Sequence, residues 1–502
     1  MLTYSELLTP EQVLRVHQAS LEILEQVGMI VRNTRARDIF AQHGCRVDEQ
    51  TTMVQFPRAV IEEFRASLPP KFTFHGRDPK YDRTLPDDAP VIITGSSAPN
   101  IIDPITGAER RSTAADIARI AHLVNALPGY DVFSISTLAD DAPPGQFSLA
   151  RFYPALKNCL KPVRGNTPTL DDSAQILRFC EVIAGSWEAY VAQPFVTHHY
   201  CCVVSPLTMD VDSTDSLLFF SEKGLPNYAT IVPNAGLTSP LTLLGTLAQG
   251  NAEYLAQACL GQMVRPGQPN IYATLSTVAD MRTGAYAPGS IENGMLHMAH
   301  AQMARFYGVP SGGYIGLTNA KVNDAQSGYD TGMSCVAGQL GGAHMFNMAG
   351  LLDALMAFDF AKAVIDDEIA LMMKRLQRGF EFSEENLALD EIAEVGPSGM
   401  FAASIRTVAR MKTAAILPEI ADRDMRQQWI EKGSLDSHAR AMQKVKDILT
   451  RDNPAVFSPE VDARVRAAFP DLVPGDSLPP EGWRKQAPAA ERVGRERRRR
   501  ET

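Results

Sequence analysis

The side chains that can do chemistry in this sequence fall at the ends of short apolar runs. His199 lies two positions before Cys201, and His344 lies two positions before Phe346. Alternate residues of a β-strand point to the same face, so each pair is expected to share a face of its strand. If the strands form a parallel barrel, their carboxyl ends make the mouth where substrates bind, and His344 there can donate a hydrogen bond to an anionic group.

A metal site is the weaker interpretation of these residues. His198 and His199 are adjacent and therefore point to opposite faces, and one His–Cys pair does not supply the ligands that zinc takes. The seven cysteines are odd in number and form no C-x-x-C pair, which argues against a disulfide framework. We therefore expect no bound metal.

Aromatic residues follow the same runs and favour a cationic ligand. A quaternary ammonium group has no N–H to donate and is held by aromatic faces. The candidate substrate-binding residues are His199, Tyr228, Thr230, Tyr272, Tyr314, Phe346 and Asn347. Taken singly, each aromatic residue is better explained by core packing. No G-x-S-x-G motif is present, so the sequence does not indicate a serine hydrolase.

Eight short β-prone runs alternate with helical segments over residues 86–375. The runs are Val91–Gly95, Tyr130–Leu138, Lys161–Asn166, Phe195–Val204, Pro226–Val232, Asn270–Leu275, Ser311–Leu317 and Ala343–Met348. The alternation predicts a parallel sheet, and eight units predict closure into a (β/α)8 TIM barrel, an α/β fold. An open doubly wound sheet is the alternative, but the glycine-rich G-x-G-x-x-G turn that it predicts is absent.

Helical segments flank the predicted barrel. We predict a helical N-terminal region over residues 1–85, C-terminal helices packed on the barrel over 376–475, and a disordered charged tail over 476–502. A long apolar helix, predicted over residues 351–373, leads us to expect a homo-oligomer.

The bulk composition is that of a globular protein. The chain has 502 residues, of which 45% are hydrophobic and 21% charged, and its net charge is −10. This charge gives no general attraction to nucleic acid or to an anionic membrane. No basic start followed by an apolar run marks a secretory signal, and no apolar run is long enough to span a bilayer. We therefore expect a cytoplasmic protein that binds neither nucleic acid nor a membrane.

Several stretches resemble the trimethylamine:corrinoid methyltransferase family and its homologues without pyrrolysine. They are residues 103–110 (DPITGAER), 161–163 (KPV), 316–330 and 365–368 (IDDE), with Asp422-Arg423, Trp429 and Gly433. The resemblance covers nearly the whole chain. It implies a TIM-barrel enzyme that works with a small corrinoid-binding protein, so the corrinoid (cobalamin) cofactor is carried by that partner.

The loop over residues 319–329 bears on the substrate. Family members that use trimethylamine carry pyrrolysine near this loop, and the nearest positions here are Gln326 and Ser327. The missing pyrrolysine favours the branch that acts on quaternary amines, with glycine betaine leading and proline betaine, carnitine or choline as alternatives. We accordingly place Ser327, Gln326 and His344 as catalytic, with His344 binding a betaine carboxylate beside Asn347 or Thr230.

Methyl transfer from a quaternary ammonium fits the absence of an evident acid–base pair. The leaving group is a neutral tertiary amine, so the protein has only to hold the cation, exclude water and present one methyl group. Two other hypotheses stay open. One is a lyase or aldolase acting through a lysine, with Lys161 as the best candidate, or through a metal; the other is a homologue that binds a betaine without turnover. The family's usual His-Thr pair is replaced by Arg406-Thr407, with consequences for the substrate or the corrinoid-protein contact left open.

Overall fold

The computed structural model describes residues 4–483 and shows a closed parallel barrel. We number its strands β1 to β8: Val91–Thr94, Phe133–Ser134, Val163–Gly165, Val196–Tyr200, Asn227–Ile231, Tyr272–Thr274, Ser311–Gly313 and Met345–Ala349. Met345 of β8 pairs with Val91 of β1, and a bridge between Ile93 and Val132 joins β1 to β2. The predicted TIM barrel is confirmed, and each strand lies in or within one residue of its predicted run.

A helix follows every strand and packs on the outside of the barrel. The helices α1 to α8 are Ala114–Ala126, Phe147–Asn158, Leu170–Ala184, Asp212–Glu222, Leu243–Val264, Ile291–Tyr307, Ala325–Leu340 and Phe360–Arg378. The prediction that the last helix starts at Leu351 is wrong. Leu351–Leu352 pairs with Ala357–Phe358 in a short antiparallel ladder, and α8 begins only where the Asp359 side chain accepts the N–H of Lys362.

The N-terminal region is not purely helical, so that part of the prediction is wrong. Its helices are Pro10–Glu22, Thr34–Gln42 and Arg58–Arg65, but it also holds the strands Met29–Val31, Arg46–Asp48, Met53–Gln55, Phe72–Phe74 and Arg83–Leu85. The first three join a small sheet with Val203–Val204 and Thr208–Met209, which follow β4. Strands of three residues are too short to show the two-residue alternation on which the prediction depended.

The last two of these strands form a hairpin that seals the amino end of the barrel. Its side chains pack into a single apolar cluster with residues of the barrel strands. The cluster holds Phe72, Phe74, Leu85, Val91, Ile93, Val132, Tyr228, Ile271, Ala273 and Met345. The ring centroids of Phe72 and Tyr228 lie 5.7 Å apart in a T-shaped contact. A ligand can therefore enter the barrel only from its carboxyl end.

The chain after the barrel is helical as far as it is described. Its helices are Glu384–Leu387, Leu389–Val395, Ile405–Arg410, Arg426–Glu431, Ser437–Leu449 and Pro459–Ala468. The predicted tail begins too early, because Asp476 lies 2.8 Å from the Lys157 ammonium and the Leu478 carbonyl accepts a hydrogen bond from Arg119. The rest of that tail, residues 484–502, lies outside the described residues. Over residues 4–483 the apolar helices all fall short of a bilayer span.

Candidate active site at the barrel mouth

A cavity of about 280 Å³ opens at the carboxyl ends of the strands. Its lining comes from residues at or just beyond the ends of β1, β2, β3, β4, β6, β7 and β8, together with helix α2. The polar lining residues include Ser96, Ser97, Ser134, Arg151, Arg164, Asn166, His199, Cys201 and Tyr314. This is the end at which TIM-barrel enzymes bind their substrates.

Arg164 reaches the cavity from the middle of β3 and is 1% exposed. Its Nη2 donates to the Tyr314 hydroxyl at 2.7 Å and lies 3.3 Å from His199 Nδ1. Its Nε and Nη1 have no hydrogen-bond partner. No carboxylate among the described residues forms an ion pair with this guanidinium, although an unpaired buried charge destabilises a fold by several kcal/mol. The protein therefore holds a positive charge and two free donors at the mouth.

His199 is a neutral hydrogen-bonding residue in this arrangement. A guanidinium only donates, so Nδ1 of His199 accepts from Arg164 and Nε2–H donates to Thr230 Oγ1 at 2.7 Å. Burial and the charge of Arg164 hold the pKa of His199 well below its ordinary value. His199 therefore positions Arg164 and Thr230 and does not act as a general acid near neutral pH.

Tyr314 completes the contacts of Arg164. Its hydroxyl accepts from Arg164 and shares a hydrogen bond with Ser96 Oγ, 2.7 Å away. The Arg164 Cζ lies 5.7 Å from the ring centroid of Tyr228 and 5.4 Å from that of Tyr314. The two tyrosine rings thus already contact a cation of the protein itself. They do not form the aromatic cage that was predicted for the substrate.

A second buried guanidinium lies at the rim of the cavity. Arg151 of α2 is 1% exposed and donates to Asn166 Oδ1 at 3.2 Å and Ser97 Oγ at 3.3 Å, while its Nε is unpaired. Burial lowers the pKa of Arg151 to about 10, and Asp172 acts in the opposite direction. Both arginines stay charged near neutral pH, so the cavity favours an anionic group.

A layer of unpaired neutral groups surrounds Arg164 inside the barrel. Asn347 of β8 is 1% exposed, and neither its amide oxygen nor its nitrogen has a partner. The hydroxyls of Ser134 and Thr197, whose Cα atoms are in register with Arg164 on β2 and β4, are also unpaired. Buried polar groups are normally satisfied, so this layer is arranged to meet a ligand or ordered water.

Two predicted substrate-binding residues lie on the outer face of the barrel. The Tyr272 hydroxyl donates to Asn251 Oδ1 of α5 at 2.9 Å. Phe346 packs in the main core between strands and helices, where its ring faces Gly338 of α7. The prediction that these two rings face the lumen is wrong, because β6 and β8 turn the opposite residues, Ala273 and Asn347, inwards.

His344 lies at the opposite end of the barrel from the cavity. It precedes β8, and its Nδ1 accepts the backbone N–H of Ser311 at 3.1 Å, at the start of β7. Burial and then the charge of Arg305 lower the pKa of His344 to about 4. The predicted contact of His344 with a substrate carboxylate is therefore not supported by its position.

Gln326 and Ser327 occupy the first turn of α7. The Asp324 carboxylate accepts the N–H of Gln326 at 2.9 Å and that of Ser327 at 3.3 Å. The Gln326 amide donates to Asp330 at 3.3 Å. Neither residue lines the mouth cavity, and their catalytic role stays a prediction.

The arginines of the cavity were missed by the sequence analysis. Arg164 stands two residues after Pro162, between Val163 and Gly165, in a run predicted to form a barrel strand. A charged residue at a position expected to be buried is unusual, and the sequence alone displays it. Arg151 gives no such signal, because an arginine in a helix is usually a solvated surface residue.

Lys161 does not point into the barrel. Its Nζ donates to the carbonyls of Val124, Leu127 and Tyr130 at 2.8, 2.6 and 2.7 Å. Three carbonyl acceptors at the end of α1 make this a structural cap, and the lyase hypothesis has no lysine at the mouth to act through. Over residues 4–483, no three His, Cys, Asp or Glu side chains are grouped to hold a metal ion.

The acidic residues of the stretch 365–368 are also structural. Asp366 pairs with Lys362 and accepts the N–H of Gly350 at 2.9 Å. Glu368 accepts three backbone N–H groups from residues 419–421 at 2.8, 2.7 and 2.8 Å. This stretch therefore fastens the C-terminal segment to α8 rather than forming a catalytic acid cluster.

The fold and the site define a TIM-barrel enzyme with two buried arginines at the mouth of the barrel. The chain belongs to the trimethylamine methyltransferase (MTTB) family, whose pattern it matches over residues 1–472. It is therefore a methyltransferase of the methylamine class, and the resemblance found in the sequence is confirmed.

Named relatives cover nearly the whole chain. The glycine betaine methyltransferase of Desulfitobacterium hafniense (strain Y51) is 32% identical over 464 residues, which is 92% of this chain and 96% of that protein. The trimethylamine methyltransferase MttB of Desulfitobacterium hafniense (strain DSM 10664 / DCB-2) is 28% identical over 91% of this chain and 92% of its own. The MttB of Methanosarcina thermophila is 30% identical over 88% and 92%, respectively.

Proposed function

We propose that this protein transfers a methyl group from a small, carboxylate-bearing quaternary amine to the Co(I) of a corrinoid held by a separate protein. Glycine betaine is the leading substrate, in line with the similarity to a glycine betaine methyltransferase. Proline betaine and carnitine share its two charged groups and are the nearest alternatives. A betaine-binding homologue without turnover is the second candidate.

The observation that carries the proposal is the buried Arg164, whose Nε and Nη1 have no hydrogen-bond partner. A carboxylate that accepts from Nη1 gives this guanidinium an anionic partner in a charge-assisted hydrogen bond, which removes the cost of the unpaired charge. Trimethylamine has no carboxylate, and its protonated form would add a positive charge to a cavity that already holds Arg151 and Arg164. The charge of the site therefore favours a betaine.

The position of Arg164 also orients the substrate. With its carboxylate bound in the lumen, a betaine would direct its N-methyl groups to the open mouth, where a partner protein can approach. The corrinoid supplies the nucleophile that takes the methyl group. The residues of this chain bind, orient and dehydrate the substrate, and neutral His199 fits a reaction in which the leaving amine needs no proton.

A substrate panel tests this function. Free cob(I)alamin, followed by its absorbance, is mixed with the protein and glycine betaine, proline betaine, carnitine, choline or trimethylamine. We expect a carboxylate-bearing amine to react roughly 100-fold or more faster than choline, because a site built to hydrogen-bond a group rejects analogues that lack it. Reaction with trimethylamine or choline alone would contradict the proposal. Binding of betaine by a folded protein that transfers no methyl group, even with its native corrinoid protein, would favour the second candidate.

A further inference from the structure

Residues 379–417, which we name the arm, leave the barrel without a core of their own. Between Met373 and Ile420 no residue is buried. The three short helices of the arm, and its 3-10 turn at Phe401–Ala403, bury no side chain. The pairs of Arg406 with Asp390 and of Arg410 with Glu385 hold it together, but exposed ion pairs contribute little stability.

The arm is also strongly apolar on its exposed surface. Phe380 is 98% exposed, Phe382 83% and Ile405 86%. Further exposed apolar side chains on the arm are Leu387, Leu389, Ile392, Met400, Phe401, Val408, Met411 and Leu417. A large aromatic side chain offers about 150–250 Å² for burial, so the two phenylalanines alone expose roughly 300 Å². Monomeric proteins rarely expose a contiguous apolar patch larger than a few hundred Å².

The arm leaves the barrel at the end opposite the cavity. Helix α8 runs from the mouth back to the amino end, where Lys374 lies 2.9 Å from Asp131, just before β2. Arg375 and Arg378 at the end of α8 line one groove with Phe380 and Phe382. The two exposed phenylalanines of the arm therefore lie at the end of the barrel away from the mouth.

We propose that the arm is the interface between two copies of this chain in solution. A stable interface takes about 800 Å² from each partner, and the exposed apolar side chains of the arm offer a surface of that order. Permanent interfaces are more apolar than those of partners that dissociate. The corrinoid protein has to leave after each transfer, so a surface of this composition fits a second copy instead. Arg406, where the family usually has histidine, then lies in this interface and not at the substrate.

Sedimentation velocity of the full-length protein tests the interface. We compare the wild type, the double variant Phe380→Ser/Phe382→Ser, and a control, Leu244→Ser, whose side chain is 59% exposed at the start of α5. None of these changes removes a buried contact, so all three proteins should fold. We expect the wild type and the control to be dimers or larger at micromolar concentration, and the double variant to dissociate at least tenfold more readily.

Two results would overturn this assignment. One is a monomeric wild type, and the other is an arm variant that associates as tightly as the wild type. If the variant stays associated but loses methyl transfer to its corrinoid protein while keeping transfer to free cobalamin, the arm contacts that partner instead. The association measurement does not depend on the substrate, so it stands whether or not the proposed methyl transfer is found.

Discussion

The two ends of the barrel are built from the same eight strands but in opposite ways. At the amino end, Phe72 and Phe74 fill the lumen with apolar side chains. At the carboxyl end, the charge of Arg164 has no anionic partner, and the amide of Asn347 makes no hydrogen bond. Tyr228 lies at the boundary, with its ring 5.7 Å from Phe72 and 5.1 Å from His199. The difference shows that the hairpin at the amino end stabilises the fold, whereas the unpaired polar groups at the mouth lower its stability and are available to a ligand.

The largest expected effect comes from opening the sealed end. Phe74→Ala should lower the free energy of unfolding by about 3–5 kcal/mol, because it removes a fully buried ring and leaves a cavity. The kcat/KM of the folded protein should change less than twofold, since the mouth is untouched. Urea denaturation and the cobalamin assay measure the two quantities.

Leu237→Ala is the control for this prediction, because its side chain is 54% exposed. A Phe74→Ala protein as stable as wild type, or one that is stable but inactive, would break the division between the two ends.

Acid should weaken the helix layer around the barrel through buried neutral histidines. His198 stacks on Phe220 with ring centroids 3.5 Å apart, and burial lowers its pKa to about 3. Below pH 6.5 this histidine binds a proton in the unfolded chain but stays neutral in the folded chain. The free energy of unfolding therefore falls as the pH drops from 6.5 towards 3. His198 alone should lower the free energy of unfolding by about 1.4 kcal/mol for each pH unit in this range.

Denaturation of wild type and His198→Leu at pH 7, 6 and 5 isolates this contribution. The variant should lose stability less steeply by that amount per pH unit. An identical pH dependence of the two proteins would show that His198 takes up its proton as readily in the folded chain as in the unfolded chain.

A smaller effect should separate two buried tyrosines. Tyr314→Phe removes the hydroxyl that accepts from Arg164, and we expect kcat/KM to fall by roughly tenfold, the value of one hydrogen bond to a charged group. Tyr272→Phe removes a hydroxyl of the outer layer and should leave kcat/KM within twofold of wild type.

The two tyrosine variants are matched in chemistry and burial, so unfolding measurements should show comparable losses of stability. Equal losses of activity in both would mean that the inner and outer faces do not differ in function.

The strand–helix alternation was enough to predict the barrel, because each unit has to bury one helix face on one strand. It was harder to predict which side chains of each strand point into the barrel. Parallel strands are buried on both faces, so β6 and β8 carry apolar residues on each side and show no polar alternation. His199 and Tyr228 were correctly placed inside, whereas Tyr272 and Phe346 were not.

The sealed amino end and the charged mouth also show the limits of prediction. The hairpin strand Phe72–Phe74 is three residues long and pairs only with its hairpin partner, so no repeating pattern in the sequence indicated it. Arg151 contributes through a contact to Asn166 that depends on the closed barrel. Arg164 could have been found as an arginine within a predicted barrel strand, and it is the residue that best connects sequence to function.

The most direct measurement is the ratio of kcat/KM for glycine betaine to that for choline, taken in the wild type and in Arg164→Met. We predict a ratio of roughly 100 or more for the wild type, falling towards 1 in the variant, because the loss of one partner of a buried charge pair costs about 2–5 kcal/mol. Arg164→Lys should lie between the two, since it keeps the charge but loses the planar arrangement of donors that also contacts Tyr314 and His199. A ratio that stays unchanged in a folded Arg164→Met would contradict the claim that this arginine selects the carboxylate.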